Sequence, residues 1–238
     1  MEGVLNKLKE IFMADKVMPR GKEWPDERQG VLPEDWQPTE ELESIPEKLD
    51  IESLQYSAEA VGYGDREMQW DTYRNIANYI PEGESVLDFG CGRGDFKLFH
   101  ADDFKFDIDY IGIDMNENLI NAGMEIYEGR VDIRCMDWFS IPKDLKQDWS
   151  INIGSCNLRY DADIKSTDNE YLQNTVHTML RHADKGAIIL LTSSITDIDD
   201  GLINHDPGLI LNWAQKEFGN VALDHSFSND VFILVIYK

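Results

Sequence analysis

Positive charge is what this sequence has least of. Its 238 residues carry 22 lysines and arginines against 46 aspartates and glutamates, a formal net charge of -24, and the pI is near 4.4. No run of basic residues occurs anywhere, which argues against a nucleic acid or an anionic membrane surface as partner, because both need clustered Lys and Arg. The acidity itself fits a solubility device or a salty habitat. Cysteine is scarce: Cys91, Cys135 and Cys156 are odd in number and lack disulfide or metal spacing, so a reducing compartment is expected. The five histidines share no ligand spacing with them, so no metal site is expected. No apolar run is long enough to span a bilayer, and the N-terminal "MEGVLNKLKEIF" has neither an apolar core nor a cleavage site. Together these absences predict a cytoplasmic protein with no membrane partner.

Proline is also unevenly spread. Five of the 8 prolines (Pro19, Pro25, Pro33, Pro38, Pro46) precede residue 55, amid acids and with little periodicity. Two regions follow from this: an acidic, Pro-rich N-terminal extension over 1–54, and a globular domain over 55–238. Val4, Leu5, Leu8, Ile11 and Phe12 mark one short amphipathic helix in the extension. The rest reads as a tail against the core or a partly disordered arm. Trp24 and Trp36 are costly to leave in water, so a lid or a homodimer contact through this arm is the alternative.

From residue 55 helices and strands alternate. Strands are expected at 85–90, 110–114, 131–137, 150–156 and 187–192, and the stripes Tyr73/Ile76/Ala77/Ile80, Ile120/Met124/Tyr127 and Leu172/Val176/Met179/Leu180 mark helices among them. Asp206 and Pro207 suit the start of a helix carrying Ile210, Trp213, Ala214 and Phe218, with Gly219 as its stop. Two closing strands follow with too short a gap for a crossover, so they pair antiparallel. The pattern predicts an α/β, Rossmann-like, doubly wound and mainly parallel seven-stranded sheet with a C-terminal antiparallel hairpin.

The chemistry concentrates in "VLDFGCGRGDF", residues 86–96. An apolar strand ends in Gly90, Gly92 and Gly94, which remove side chains where backbone must turn and approach a ligand. The second strand ends at Asp114, twenty residues after Gly94, where an acid can accept hydrogen bonds from both cis hydroxyls of a ribose. On this reading Asp114→Ala weakens cofactor binding and leaves the fold intact. The dinucleotide pattern G-x-G-x-x-G is not met, because Asp95 stands at its third glycine and Asp88 adds a carboxylate beside the loop. Acids there repel a pyrophosphate and favour a ligand with an ammonium group.

These stretches resemble the class I S-adenosyl-L-methionine (SAM)-dependent methyltransferases. "VLDFGCGRGDF" resembles the first motif of that family, "YIGIDMN" (110–116) the second, "RCMDW" (134–138) the third and "INIGSCN" (151–157) the fourth. The resemblance implies a cofactor site in which Asp88, Gly90, Cys91 and Gly92 shape the methionine side, Asp114 and Met115 lie at the ribose, and Asp137 and Trp138 lie at the adenine. "SAEAVGYGDREMQW" (57–70) resembles the segment that covers the cofactor in a bacterial and phage branch, which adds Tyr63 and Gln69. Thr72 stands where that branch carries an arginine for the methionine carboxylate, with Arg74 as a nearby substitute.

Methyl transfer is a displacement at an activated sulfonium, so positioning in a dry pocket supplies much of the catalysis and no triad is required. Asn157, His205 and His225 are the acceptor-side candidates, with Tyr160 and Asp161 as second choices. "NLRY" (157–160) matches the amino-methyltransferase loop Asn/Asp-Pro-Pro-Tyr/Phe only at its ends, and the charge weighs against DNA. The expected acceptor is a small molecule or a protein side chain. A SAM-binding module that works through a partner without catalysis, a nucleic-acid base methyltransferase and an NAD-dependent oxidoreductase are the rivals.

Overall fold

The computed structural model describes residues 58–104, 108–158, 167–196 and 202–238. The N-terminal extension, with its expected helix, Trp24 and Trp36, lies outside the described residues, as do Tyr160 and Asp161.

Seven strands form one sheet: β1 (Ser85–Phe89), β2 (Asp109–Asp114), β3 (Asp132–Cys135), β4 (Gln147–Ile153), β5 (Ala183–Thr192), β6 (Val221–Asp224) and β7 (Val231–Tyr237). Their order is β3-β2-β1-β4-β5-β7-β6. β1, β2, β3, β4 and β5 run parallel, while β7 pairs antiparallel with both β5 and β6. The chain starts in the middle, winds outward to β3, and then returns to β4 on the other side of β1. That reversal opens a crevice at the carboxyl ends of β1 and β4, the usual ligand position in such sheets.

Among the described residues five helices cover the two faces: α1 (Arg66–Ala77), α2 (Asp95–Phe104), α3 (Glu117–Ile126), α4 (Thr167–Arg181) and α5 (Pro207–Phe218). Tyr73, Ile76, Phe96, Phe99 and Ile120 pack one face with Val86 of β1. Leu172, Val176, Met179, Ile210 and Ala214 pack the other with Leu87 and Phe89. Side chains alternate across a strand, so Asp88 shares the face of Val86, under α1 and α2. The start of α5 is as the residues dictate: the Asp206 carboxylate accepts the Leu209 N–H at 2.9 Å, Pro207 fills the first turn, and Gly219 stops the helix at φ 82°.

β4 and β5 begin at Gln147 and Ala183, earlier than the sequence expectation, and β3 and β4 end before it. β4 stops at Ile153 because Gly154, at φ 94°, turns the chain into a short 3-10 helix over Ser155–Asn157. β3 ends at Cys135 because Asp137 caps another such turn, its carboxylate accepting the Phe139 N–H at 2.9 Å. Met124, expected on the buried stripe of α3, is exposed; Leu119, Ile120, Ala122 and Gly123 form that stripe instead.

Candidate cofactor and acceptor site

The glycine loop leaves β1 with Gly90, Gly92 and Gly94 all at positive φ (79°, 57° and 81°). A Cβ on Gly90 would lie 2.4 Å from Ser155 Oγ, so this glycine lets the end of β4 close against the loop. The amides of the loop serve the protein itself. Gly90 and Cys91 both donate to the Ile113 carbonyl, at 2.8 and 3.0 Å, and Gly94 donates to Cys91 at 2.9 Å. Gly92 donates to the Asp114 carboxylate at 2.8 Å. The N–H groups of Gly90, Cys91, Gly92 and Gly94 therefore all have partners within the chain. A pyrophosphate is cradled by loop amides that point at it, so this loop suits a ligand without phosphate.

Asp95 plays a different part from the one its sequence position suggests. It is buried and paired with the equally buried Arg93, Nη2 to Oδ2 at 2.6 Å. Gln69 Nε2 donates to the same carboxylate at 2.9 Å, and Tyr127 Oη donates to its other oxygen. Burial opposes the charge of Asp95, but Arg93 and the hydrogen bonds outweigh it and hold the carboxyl below its ordinary range. With a guanidinium beside it, Asp95 does not repel an anion at the loop; the loop's own amides carry that discrimination. Sequence reading missed Arg93, since arginine in a glycine loop signals an exposed phosphate contact as readily as a buried partner.

Asp88 is the carboxylate left to act on a ligand. Only 2% exposed, it accepts a hydrogen bond from Tyr110 Oη at 2.7 Å through Oδ2, while Oδ1 has no partner. Burial pushes its carboxyl up to about 7, against the lowering effect of Tyr110 and helped by the nearby Asp114. Gln69 Oε1 is a second buried acceptor without a partner; its Nε2 is committed to Asp95 and, at 3.0 Å, to Tyr73 Oη. Tyr63 packs edge-on against Tyr73 with ring centroids 5.8 Å apart, and Asp88 and Asp95 both act electrostatically on its phenol. Thus α1, β1 and the 58–64 turn bring Tyr63, Gln69 and Asp88 together, and two buried lone-pair groups there await donors. An ammonium supplies donors and a positive charge, which fits the amino acid end of SAM. Arg74 lies elsewhere, paired with Asp71 at 2.5 Å on the exposed side of α1.

Further along the crevice, Asp114 and Met115 stand partly buried at the end of β2. Asp114 accepts the N–H groups of Gly92 and Asn116, each at 2.8 Å. Burial raises its carboxyl, and these backbone bonds offset part of the rise. The Met115 N–H is a third backbone donor to it, so of a carboxylate's about four lone-pair sites one is left for a ribose hydroxyl. Asp137 is half-buried at its cap position. Trp138 is 3% exposed and packed in the core beside Phe89 and Tyr171, at centroid distances of 6.4 and 6.0 Å. Its ring thus supports the floor under Gly90 more than it offers an open face. Cys91 is buried, its thiol pushed up by burial, with its side chain against the backbone of Gly112.

Residues 80–206 match the methyltransferase-domain family. The chain belongs to that family. With its seven-stranded, mainly parallel sheet it has the Rossmann-like fold of a methyltransferase. It is 26% identical over 162 residues, 65% of this chain and 93% of the other, to Rv1506c of Mycobacterium tuberculosis (strain ATCC 25618 / H37Rv), which is named as a methyltransferase. The fold is similar to that of magnesium protoporphyrin IX methyltransferase (ChlM) from Synechocystis PCC 6803, solved with bound SAH: TM-score 0.52, 14% identity, 71% of this chain and 83% of that one. It is also similar to the glycopeptide N-methyltransferase MtfA complexed with S-adenosyl-L-homocysteine (SAH): TM-score 0.51, 11% identity, 71% and 89%.

On the acceptor side of the methyltransferase, Asn157 turns out to be tied to backbone. Its Oδ1 accepts the Thr192 N–H at 3.1 Å, its Nδ2 donates to Leu190 at 3.4 Å, and its carbonyl accepts the Ile203 N–H at 2.8 Å. It fastens the end of β4 to β5 and to the 202–206 segment. His205 sits on that segment, 3% exposed, its N–H donating to the Thr192 carbonyl at 2.8 Å. Burial lowers its imidazole to about 4, against the effect of a hydrogen bond to the Cys156 carbonyl. His225 is remote in role: it lies in the β6–β7 turn, with Nε2 3.2 Å from the Asn229 carbonyl oxygen. Among the described residues no group of His, Cys, Asp and Glu could hold a metal ion, and no helix is long and apolar enough to cross a membrane.

Proposed function

We propose that this methyltransferase holds SAM across the carboxyl ends of β1, β2 and β3 and transfers its methyl group to a small molecule or a protein side chain. The observation that carries the cofactor placement is the pair of buried, unpartnered acceptors, Asp88 Oδ1 and Gln69 Oε1, beside a loop whose amides are already bonded. Asp88 and Gln69 receive the ammonium, with Tyr63 closing over it; Asp114 accepts a ribose hydroxyl; Asp137 meets the adenine amino group. When bound, SAM supplies a methyl group on a sulfonium, a leaving group that needs no further activation. The protein's contribution is to orient that group and to keep water away from it. Buried donors and acceptors at fixed positions do this without reorganising during the reaction.

The acceptor class is tested by incubating the full chain with methyl-tritiated SAM and, separately, the small-molecule, protein and DNA fractions of a cell extract. Label in the small-molecule or protein fraction supports the proposal. Label in DNA supports base methylation instead. Tight SAM binding without label in any fraction supports a binding module that works without catalysis.

A further inference from the structure

A cleft of about 460 Å³ opens between α4, α5 and the 202–206 segment. Leu172, Ile203, Leu209, Ile210 and Trp213 give it apolar walls, and His205 lines it. Gln173, Ser194, Asn204 and Asp206 join His205 as its polar lining, and its volume lies within the range of roughly 300–1,000 Å³ usual for small-molecule sites. His205 Nε2 is buried and has no hydrogen-bond partner. The Cys156 carbonyl acts on the ring, and with the proton on Nδ1 the unpartnered Nε2 presents a lone pair. Among the described lining residues the sole charged one is Asp206, whose carboxylate caps α5 at the Leu209 N–H. The cleft adjoins the cofactor loop through few atoms: His205 bonds to Cys156, whose neighbour Ser155 lies against Gly90.

Resting on the cofactor placement above, we infer that this cleft is the acceptor site, and that it takes an uncharged, ring-sized molecule whose N–H or O–H hydrogen-bonds to His205 Nε2. The apolar walls take the body of the molecule. The absence of lysine and arginine from the described lining, and the presence of Asp206, disfavour an anion. The hydrogen bond to Nε2 turns the acceptor's lone pair toward the methyl group. As the acceptor's N or O bonds to the methyl carbon, the carbon–sulfur bond breaks and its electron pair stays on sulfur. The acceptor atom becomes cationic and its hydrogen strongly acidic, so even a weakly basic imidazole accepts that proton and passes it to water. A neutral His205 is needed for this, and its burial keeps it neutral.

The test follows the His205 Nε2 resonance by nitrogen NMR in the full chain, with phenol, indole and benzoate as probes, each with and without saturating SAH. Phenol and indole are expected to shift the resonance saturably, and benzoate is not. Leu209→Trp, placed at a 68% exposed lining position where the fold tolerates bulk, should weaken both responses at least tenfold while SAH affinity is retained. The proposal is overturned if neither phenol nor indole moves the resonance, or if benzoate binds as well as they do. A failure of SAH to bind would count against the cofactor placement, and the phenol response in its absence would still decide the cleft.

Discussion

The Asp114 carboxylate accepts the Gly92 N–H at 2.8 Å, so the acid that ends β2 also holds the glycine loop that ends β1. Its other oxygen accepts the Asn116 N–H at 2.8 Å and fixes the entry to α3. The same group that can receive a ribose therefore shapes the pocket that receives the rest of the cofactor. Asp114→Ala should weaken SAH binding and, unlike the expectation from sequence, also lower stability by about 1–3 kcal/mol, because it leaves the Gly92 N–H without its partner. Urea unfolding alongside calorimetric titration checks both; an unchanged unfolding midpoint would show that the loop stands without Asp114.

Arg93 and Asp95 form a buried pair, and removing one partner strands the other charge. Arg93→Met should destabilise the protein by roughly 3–5 kcal/mol, whereas Arg93→Met combined with Asp95→Asn should recover part of that loss. Urea midpoints of the two variants and the parent measure this. A single variant as stable as the parent would mean that Gln69 and Tyr127 hold the Asp95 charge alone.

Asp88 makes cofactor binding depend on pH. Its carboxyl is pushed to about 7 in the folded protein from an unfolded value of 3.8, so the folded state keeps a proton between these values that the unfolded chain has lost. The resulting stability is fully present below the unfolded value and is lost as pH rises through about 7, on the order of 4 kcal/mol in all. Tyr63, Tyr73, Tyr110 and Cys91 are all pushed upward, away from this window, and Asp95 is held low by Arg93. An ammonium favours the charged carboxylate, so SAH binding should expel the proton, and affinity should rise about tenfold per pH unit below neutrality and level off above it. Asp88→Asn should flatten this slope to what Asp114 contributes, since burial raises that carboxyl too, and weaken binding at high pH by roughly ten- to a hundredfold. Titrations in two buffers of different ionisation enthalpy count the protons released.

Gly90→Ala should cripple cofactor binding and stability together, since the added carbon meets Ser155 Oγ at 2.4 Å and Ser155 Cβ at 2.6 Å. The backbone at φ 79° adds strain for any side chain. Adding Ser155→Gly removes the clash and leaves the strain, so partial recovery of the thermal midpoint is expected.

Much of this fold was legible because apolar runs and helical stripes are local signals. β1, β2 and β5, the α5 caps and the closing hairpin all follow from residues adjacent in the chain. The ends of β3 and β4 were misplaced because Asp137 and Gly154 set them through turn geometry, where an apolar run continues past the last ladder bond. Spacing did bring Gly90, Gly92 and Asp114 to one place, where the Gly92 N–H meets the Asp114 carboxylate. It was not legible where contacts are long-range: the Arg93–Asp95–Gln69 network joins α1 to the loop, and Asn157 is bound to β5 by its amide. Residue type alone made Asp95 a repulsive charge and Asn157 a catalytic group, whereas their partners make them supports.

The most direct test of the account is calorimetric titration of the full chain at neutral pH with SAH and, separately, with NADH. The account predicts micromolar binding of SAH with partial proton release, and no binding of NADH. Binding of NADH with SAH silent would contradict it, because the loop amides would then have to leave their partners in the chain for a pyrophosphate.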